Sequence, residues 1–204
     1  KVMVAPNLPA KQTCLPENVR RVKTKGELRL VSVARISPEK NTYFALELLA
    51  KYKGKDKIVF DIFGPVYDEA YWENCSSLIK DMPSNVQVNY FGSLKKEEVG
   101  PKLTNYHALF LPTRGENFGH VILESMMAGC GIIISDQTPW KELQIKGIGY
   151  DIPLLDSSAF LEAIDKLASL DQEEFDRLSG RAFSFARSYT ENEEHLEANR
   201  NLFR

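Results

Sequence analysis

Residues 108–135 read ALFLPTRGENFGHVILESMMAGCGIIIS, and this stretch decides the fold. Ala108 to Leu111 and Gly131 to Ser135 are short and apolar throughout, as strands buried on both faces of a parallel sheet should be. Phe118 to Ala128 lies between them and must be a helix, because parallel neighbours need a crossover. Pro112 to Asn117 is then the loop that leads from a buried strand into a helix.

Working outward, the same alternation recurs. Upstream, Leu28 to Ala34 alternates like a strand, and Asn41 to Tyr52 reads as a helix capped by Asn41. Lys57 to Phe63 is a second strand, closed by Gly64-Pro65, and Asp68 to Asp81 is a helix ended by Met82-Pro83. Val86 to Phe91 is a third strand and Lys95 to Thr104 a short helix. Downstream, Asp156 caps a helix with Phe160, Ile164 and Leu167 on one stripe, and Asp171 with Glu174 starts another bearing Phe175, Leu178, Phe185 and Tyr189. Thr190 with Glu193 has the spacing of a capping box and starts a final helix. Strands alternating with helices predict an α/β fold: a doubly wound, Rossmann-like parallel sheet with right-handed crossovers and extra C-terminal helices.

The totals set the boundaries. At 204 residues the chain holds one well-packed domain, and a net charge of −2 gives no electrostatic case for nucleic acid as a partner. Lys1 opens in mid-phrase, which implies a piece of a longer protein. No apolar run approaches the roughly 20 residues that a bilayer span needs. Cys14, Cys75 and Cys130 are odd in number and lack metal-type spacing, as expected of reduced thiols in a cytoplasmic protein. Asn74-Cys75-Ser76 fits a glycosylation sequon, read here as coincidence. The cations Arg20, Arg21, Lys23 and Lys25 read as a solvated loop, and His107 and His195 have no acidic or cysteine partner at useful spacing.

Open parallel sheets bind ligands at the carboxyl ends of their strands. There Gly119 lets a ligand approach the backbone, and the amides of the first helical turn, with the positive end of the dipole, favour a phosphate. Glu116 precedes that turn and Glu124 sits in its second turn, so a ligand resting its phosphates on the helix end would meet a carboxylate on each side. Carboxylates accept hydrogen bonds from paired hydroxyls. A nucleotide sugar carries diols on both sides of a diphosphate. Arg35 and Lys40 flank the loop after the first strand, opening on the same edge, and two cations on a diphosphate would neutralise leaving-group charge without a metal. No Asp-x-Asp pair is present, so no metal ligands are assigned. Taken singly these features are weak: two glutamates eight apart are more often an exposed acidic face, and Phe118, Met126 and Met127 read as helix packing.

Together the segments resemble the C-terminal, donor-binding domain of GT-B glycosyltransferases of family 4, the glycosyl transferases group 1. The resemblance runs from about Asn7 to the final helices. Its most specific part is Glu116-Asn117-Phe118-Gly119-His120-Val121-Ile122-Leu123-Glu124 followed by Ser125-Met126-Met127-Ala128-Gly129. Val33-Ala34-Arg35 through Lys40 looks like the family's donor-phosphate loop, and Phe63-Gly64-Pro65, Tyr90-Phe91-Gly92 and Trp140-Lys141-Glu142 look like further landmarks. The resemblance implies that Glu116 contacts the sugar hydroxyls and Glu124 the ribose diol. Arg35 and Lys40 would hold the diphosphate, aided by backbone amides at Gly119, His120 and Val121 beside Phe118, with Gly64 and Phe91 near the nucleotide.

The implied activity is retaining, metal-independent transfer of a sugar from a UDP-, GDP- or ADP-sugar to a glycan, lipid or small-molecule acceptor, with no cofactor. The acceptor site would lie in an absent N-terminal domain, so the chain by itself is expected to bind donor weakly and to transfer nothing. Residues 1–26 would be the interdomain linker and lead-in, 27–188 the nucleotide-sugar-binding domain, and 189–204 a helix packing toward the absent domain. The expected location is the cytoplasm, with peripheral membrane contact only through the absent half. Three positions depart from the family pattern: Ala34 where Gly is usual, Asn41 where Gly commonly follows the Lys, and Thr138-Pro139-Trp140 in place of Gly-Gly-x-Pro. A sugar-nucleotide epimerase of GT-B fold, or a non-catalytic nucleotide-binding module, are the alternative readings.

Overall fold

The computed structural model describes residues 21–192. The first five strands alternate with helices, beginning β1 Glu27–Val33, α1 Thr42–Ala50, β2 Lys57–Phe63, α2 Glu69–Lys80, β3 Val86–Tyr90 and α3 Lys96–Leu103. There follow β4 Ala108–Leu111, α4 His120–Met127, β5 Gly131–Ser135, β6 Gly149–Ile152, α5 Ser157–Ser169 and α6 Gln172–Thr190. All strand pairings are parallel, and the order is β3-β2-β1-β4-β5-β6. The sheet therefore reverses direction of growth between β1 and β4. At the carboxyl ends of that pair the loops diverge to opposite faces and leave a crevice.

Each strand supplies both faces of the sheet by its period of two. Leu28, Leu30, Ile58, Phe60, Ala108, Phe110 and Ile133 pack in one core with α1, α2 and α5. Val31, Leu109, Leu111, Ile132 and Ile134 pack in the other with α3, α4 and α6. A sheet sandwiched this way needs apolar residues on both sides of every central strand, which is why ALFL and GIIIS show no alternation.

Helix starts follow local chemistry where the sequence supplies it. The Asp68 carboxylate accepts from Tyr71 N, that of Asp156 from Ala159 N, and Asp171 with Glu174 makes a reciprocal capping box. Asn41 differs from the expected cap. It is left-handed at φ 60, its side chain makes no cap bond, and its amide instead donates to Pro112 O at 3.0 Å. Asparagine tolerates that backbone better than most residues, so it fits a position where the family pattern has glycine. Thr190 also differs: it ends α6 rather than starting a new helix. The part of that expected final helix from Glu193 onward, Cys14, His195, and the lead-in before Arg21 lie outside the described residues.

The expected solvated basic loop is in part a buried one. Arg21 is 6% exposed and Lys23 is 4% exposed. Arg21 donates to Tyr106 O, Ala128 O, Gly129 O, Ser179 Oγ and Cys130 Sγ, and Lys23 Nζ to the carbonyls of Thr24, Ala168 and Leu170. Both side chains satisfy helix-end carbonyls that would otherwise be buried without donors. Burial pulls the Lys23 ammonium below its ordinary value. Cys75 and Cys130 are buried free thiols, each with its acidity suppressed by burial.

Candidate functional site

The crevice between β1 and β4 is framed by two loops that hold each other. Residues 35–41 follow β1, and residues 112–119 follow β4. Arg114 N donates to Glu39 O at 2.8 Å, Thr113 Oγ1 to the same carbonyl at 3.0 Å, and Asn41 Nδ2 to Pro112 O. On its other side the second loop is tied to the β5 exit: Ser135 Oγ donates to Thr113 O, and Glu116 N to Gln137 O at 3.1 Å. Backbone bonds on both flanks fix where Glu116 starts.

Lys40 and Glu116 meet in this frame. Lys40 Nζ donates to Glu116 Oε1 at 2.5 Å, and the two side chains are 17% and 12% exposed. A charge-assisted bond this sheltered is stronger than a surface pair and holds both groups at the crevice wall. Gly119 closes the frame. It caps α4 in the left-handed region at φ 75, ψ 62, with no side-chain cap bond. A Cβ there would meet Ile122 Cδ1 at 2.7 Å, and Glu116 Cγ is its next neighbour. Glycine at this point brings backbone amides, the dipole end of α4 and the Glu116 carboxylate to one place.

The remaining expected residues distribute around that centre. Glu124 lies partly buried on the second turn of α4, and Val121 is partly buried in its first. His120 opens the helix, exposed, with its ring 4.8 Å from that of Phe118. The Phe118 side chain is turned into the core against Trp140 and Tyr189, so only its backbone faces the turn. Arg35, in the loop after β1, is exposed with its guanidinium 5.1 Å over the Tyr67 ring.

Gly64 lies flush on the first loop: a Cβ would sit 1.7 Å from Ala34 O, at φ 147. Its N–H donates to Gly92 O and its carbonyl accepts from the Tyr90 hydroxyl, so the β2 and β3 exits are stitched to the crevice. Phe91 is 59% exposed and stacks on Phe63, with ring centroids 5.2 Å apart. It offers an aromatic face at the far end of the edge.

Two side chains here have a role that the sequence did not assign. Arg114 turns to the other side of its loop and, with Tyr43, Phe44, Glu47, Gln137 and Leu154, lines a groove of about 480 Å³. Trp140 Nε1 donates to Phe118 O at 2.5 Å, directly behind the Gly119 turn. Neither contact has a local sequence signature, since the partners are brought together only by the fold. Among the described residues no three His, Cys, Asp or Glu side chains cluster as metal ligands, and no helix is long and apolar enough to cross a membrane.

An open parallel sheet of this strand order, with a charged crevice at its switch point, defines a doubly wound domain of the Rossmann-like class. More narrowly, the chain belongs to the glycosyl transferases group 1 family, which matches residues 17–183. No protein of curated function matches the sequence. Among solved structures the chain is similar to WaaG, a glycosyltransferase involved in lipopolysaccharide biosynthesis, with TM-score 0.70 and 16% identity over 90% of this chain and 51% of WaaG. It is also similar to TarM of S. aureus, solved with UDP, with TM-score 0.76 and 16% identity over 98% of this chain and 38% of TarM. The C-terminal domain of LpcC, a glycosyl transferase group 1 protein of Francisella tularensis, superposes with TM-score 0.68 and 17% identity over 82% of this chain and 87% of that domain. The chain thus spans about half of WaaG and less of TarM. These likenesses are of fold, the GT-B glycosyltransferase C-terminal architecture.

Proposed function

We propose that this chain is the donor-binding half of a glycosyltransferase that takes a sugar from a nucleoside diphosphate sugar. The observation that carries the reading is the Lys40–Glu116 pair beside the glycine-capped start of α4, at the switch point of a group 1 family sheet. That place combines what a nucleotide sugar presents: a diphosphate for the helix end and cations, and diols for carboxylates.

In this reading the diphosphate rests on the amides at Gly119, His120 and Val121, with Lys40 and Arg35 supplying positive charge. Arg35 swings from Tyr67 to reach it. Glu116, released in part from Lys40, accepts from sugar hydroxyls, and Glu124 accepts from the ribose diol. The base lies toward Gly64 and Phe91. Charge gathered on the departing diphosphate is stabilised by fixed donors and two cations, so the step needs no metal. Anomeric configuration is retained, the departing phosphate helps to take the acceptor proton, and neither glutamate serves as general base. The acceptor, a glycan, lipid or small molecule, sits in a further domain, and the whole enzyme works in the cytoplasm or at the inner membrane face.

Calorimetric titration with UDP, GDP and ADP tests the reading. Saturable binding of one of them, weakened at least tenfold by both Arg35→Ala and Glu124→Ala, is the expected outcome. Binding indifferent to both substitutions, or none to any nucleotide, refutes it.

A further inference from the structure

Resting on that reading, we infer that Trp140 is a positioning residue for the phosphate-binding turn, acting through a single peptide unit. The stretch Thr138-Pro139-Trp140 is where the chain departs from its family's pattern, and the structure gives the departure a task. Thr138 and Trp140 are both buried, and Trp140 N donates to Thr138 Oγ1 at 3.2 Å, so the turn itself orients the indole. The ring is held on three sides, by Phe118, Tyr189 and Phe185 at centroid distances of 5.3, 5.1 and 6.3 Å. From that socket Nε1 donates to the carbonyl of Phe118 at 2.5 Å.

The consequence lies on the other side of the same peptide. Among the described residues there is no cis bond, and in a trans peptide the C=O and the following N–H point in opposite directions. Drawing the Phe118 carbonyl toward the indole therefore turns the Gly119 N–H away from the core. Among the described residues that N–H has no hydrogen-bond partner, although Gly119 is itself buried. The first donors of a helix have no intrahelical partner, so this N–H is available to a ligand oxygen. Gly119 alone does not fix this orientation. At φ 75 it belongs to the one residue type that moves readily between left- and right-handed backbone, so the turn needs an outside hold. Trp140 supplies it, with Tyr189 of α6 backing both aromatic rings. A peptide flip would spend the donor and aim a carbonyl oxygen at the phosphate.

The experiment compares the wild-type chain with Trp140→Phe and with a chain carrying 3-benzothienylalanine at 140, which keeps the indole shape without its N–H. Each is titrated, by amide shifts in nitrogen-15 NMR, with whichever of UDP, GDP and ADP the wild type binds, and with the matching nucleoside. The expected result is a diphosphate affinity about tenfold weaker in both variants with the nucleoside affinity unchanged, as loss of one aligned donor to a charged group predicts. Equal weakening of nucleotide and nucleoside would mean that Trp140 only supports the fold, and wild-type nucleotide affinity in the benzothienyl chain would mean that the bond orients nothing. Either overturns the inference while leaving the donor site standing. A wild-type chain that binds none of the three nucleotides overturns the donor reading and this inference with it. Should Trp140→Phe fail to fold, the isosteric variant decides alone.

Discussion

His107 offers the sharpest test of how the sheet is held together at its other edge. The residue precedes β4; its own N–H donates to Arg29 O at 2.8 Å, and its carbonyl accepts from Gly131 N at 2.9 Å. Its ring is buried against Phe175 and bonded at both nitrogens, Nδ1 accepting from Arg29 N at 3.0 Å and Nε2 facing Val22 O at 3.0 Å. That pairing requires the neutral ring with its proton on Nε2. Burial, with Arg29, Lys23 and Arg21 nearby, pushes the imidazole from 6.5 down to about 4. The folded chain therefore refuses a proton that the unfolded chain accepts near pH 6.5.

Between those two values the unfolded state binds more protons, so stability is fully present above about pH 6.5 and is lost as pH falls toward 4. A displacement of that size corresponds to about 3 kcal/mol. Urea unfolding at a series of pH values from 7.5 to 4.5 measures it, in the wild type and in His107→Gln. Glutamine can accept from Arg29 N and donate to Val22 O without titrating. Losses from carboxylates common to both chains cancel, and the wild type should lose about 2–3 kcal/mol more than the variant across the window. Parallel pH profiles for the two would show that the His107 ring does not resist protonation in the folded chain.

Two further outcomes test the frame around the crevice. Arg21→Met keeps much of the side-chain volume but leaves the carbonyls of Tyr106, Ala128 and Gly129 without their donor, so denaturant unfolding should show a loss of about 3 kcal/mol or more. Gly64→Ala places a methyl 1.7 Å from Ala34 O, which the backbone can meet only by moving the loop that carries Arg35. Its melting temperature should fall by several degrees, and nucleotide affinity should fall with it.

What the sequence makes legible follows from the range of each interaction. ALFL and GIIIS show as strands because two-sided burial leaves apolar runs, KIVFDIF because its buried positions mostly alternate with less buried ones, and Asp156 and Asp171 show as caps because their partners lie three residues away. β6 is invisible: GYDI begins on a glycine at φ 156, and its middle residues are only half-buried at the sheet edge, so nothing in its composition marks a strand. Arg21 and Lys23 read as solvated because a charge run usually is, while the carbonyls they satisfy lie mostly 85 to 147 residues away in sequence. At the candidate site, the spacing of Glu116, Gly119 and Glu124 on one loop and helix is local and readable. The pairing of Lys40 with Glu116 and the bond from Trp140 to Phe118 are products of topology, which places loops far apart in sequence at one switch point.

The central claim is that the β1–β4 crevice receives a nucleoside diphosphate with its phosphates on the start of α4. A nitrogen-15 NMR titration of the 204-residue chain with UDP, GDP and ADP into the millimolar range reads this directly, since it reports weak binding residue by residue. Saturable shifts are expected for one nucleotide, largest at the amides of Gly119, His120 and Val121 and along the loop carrying Arg35 and Lys40. Saturable shifts centred on the groove of Tyr43, Phe44 and Arg114 with the α4 turn unmoved, or no saturable shift with any of the three, would contradict it.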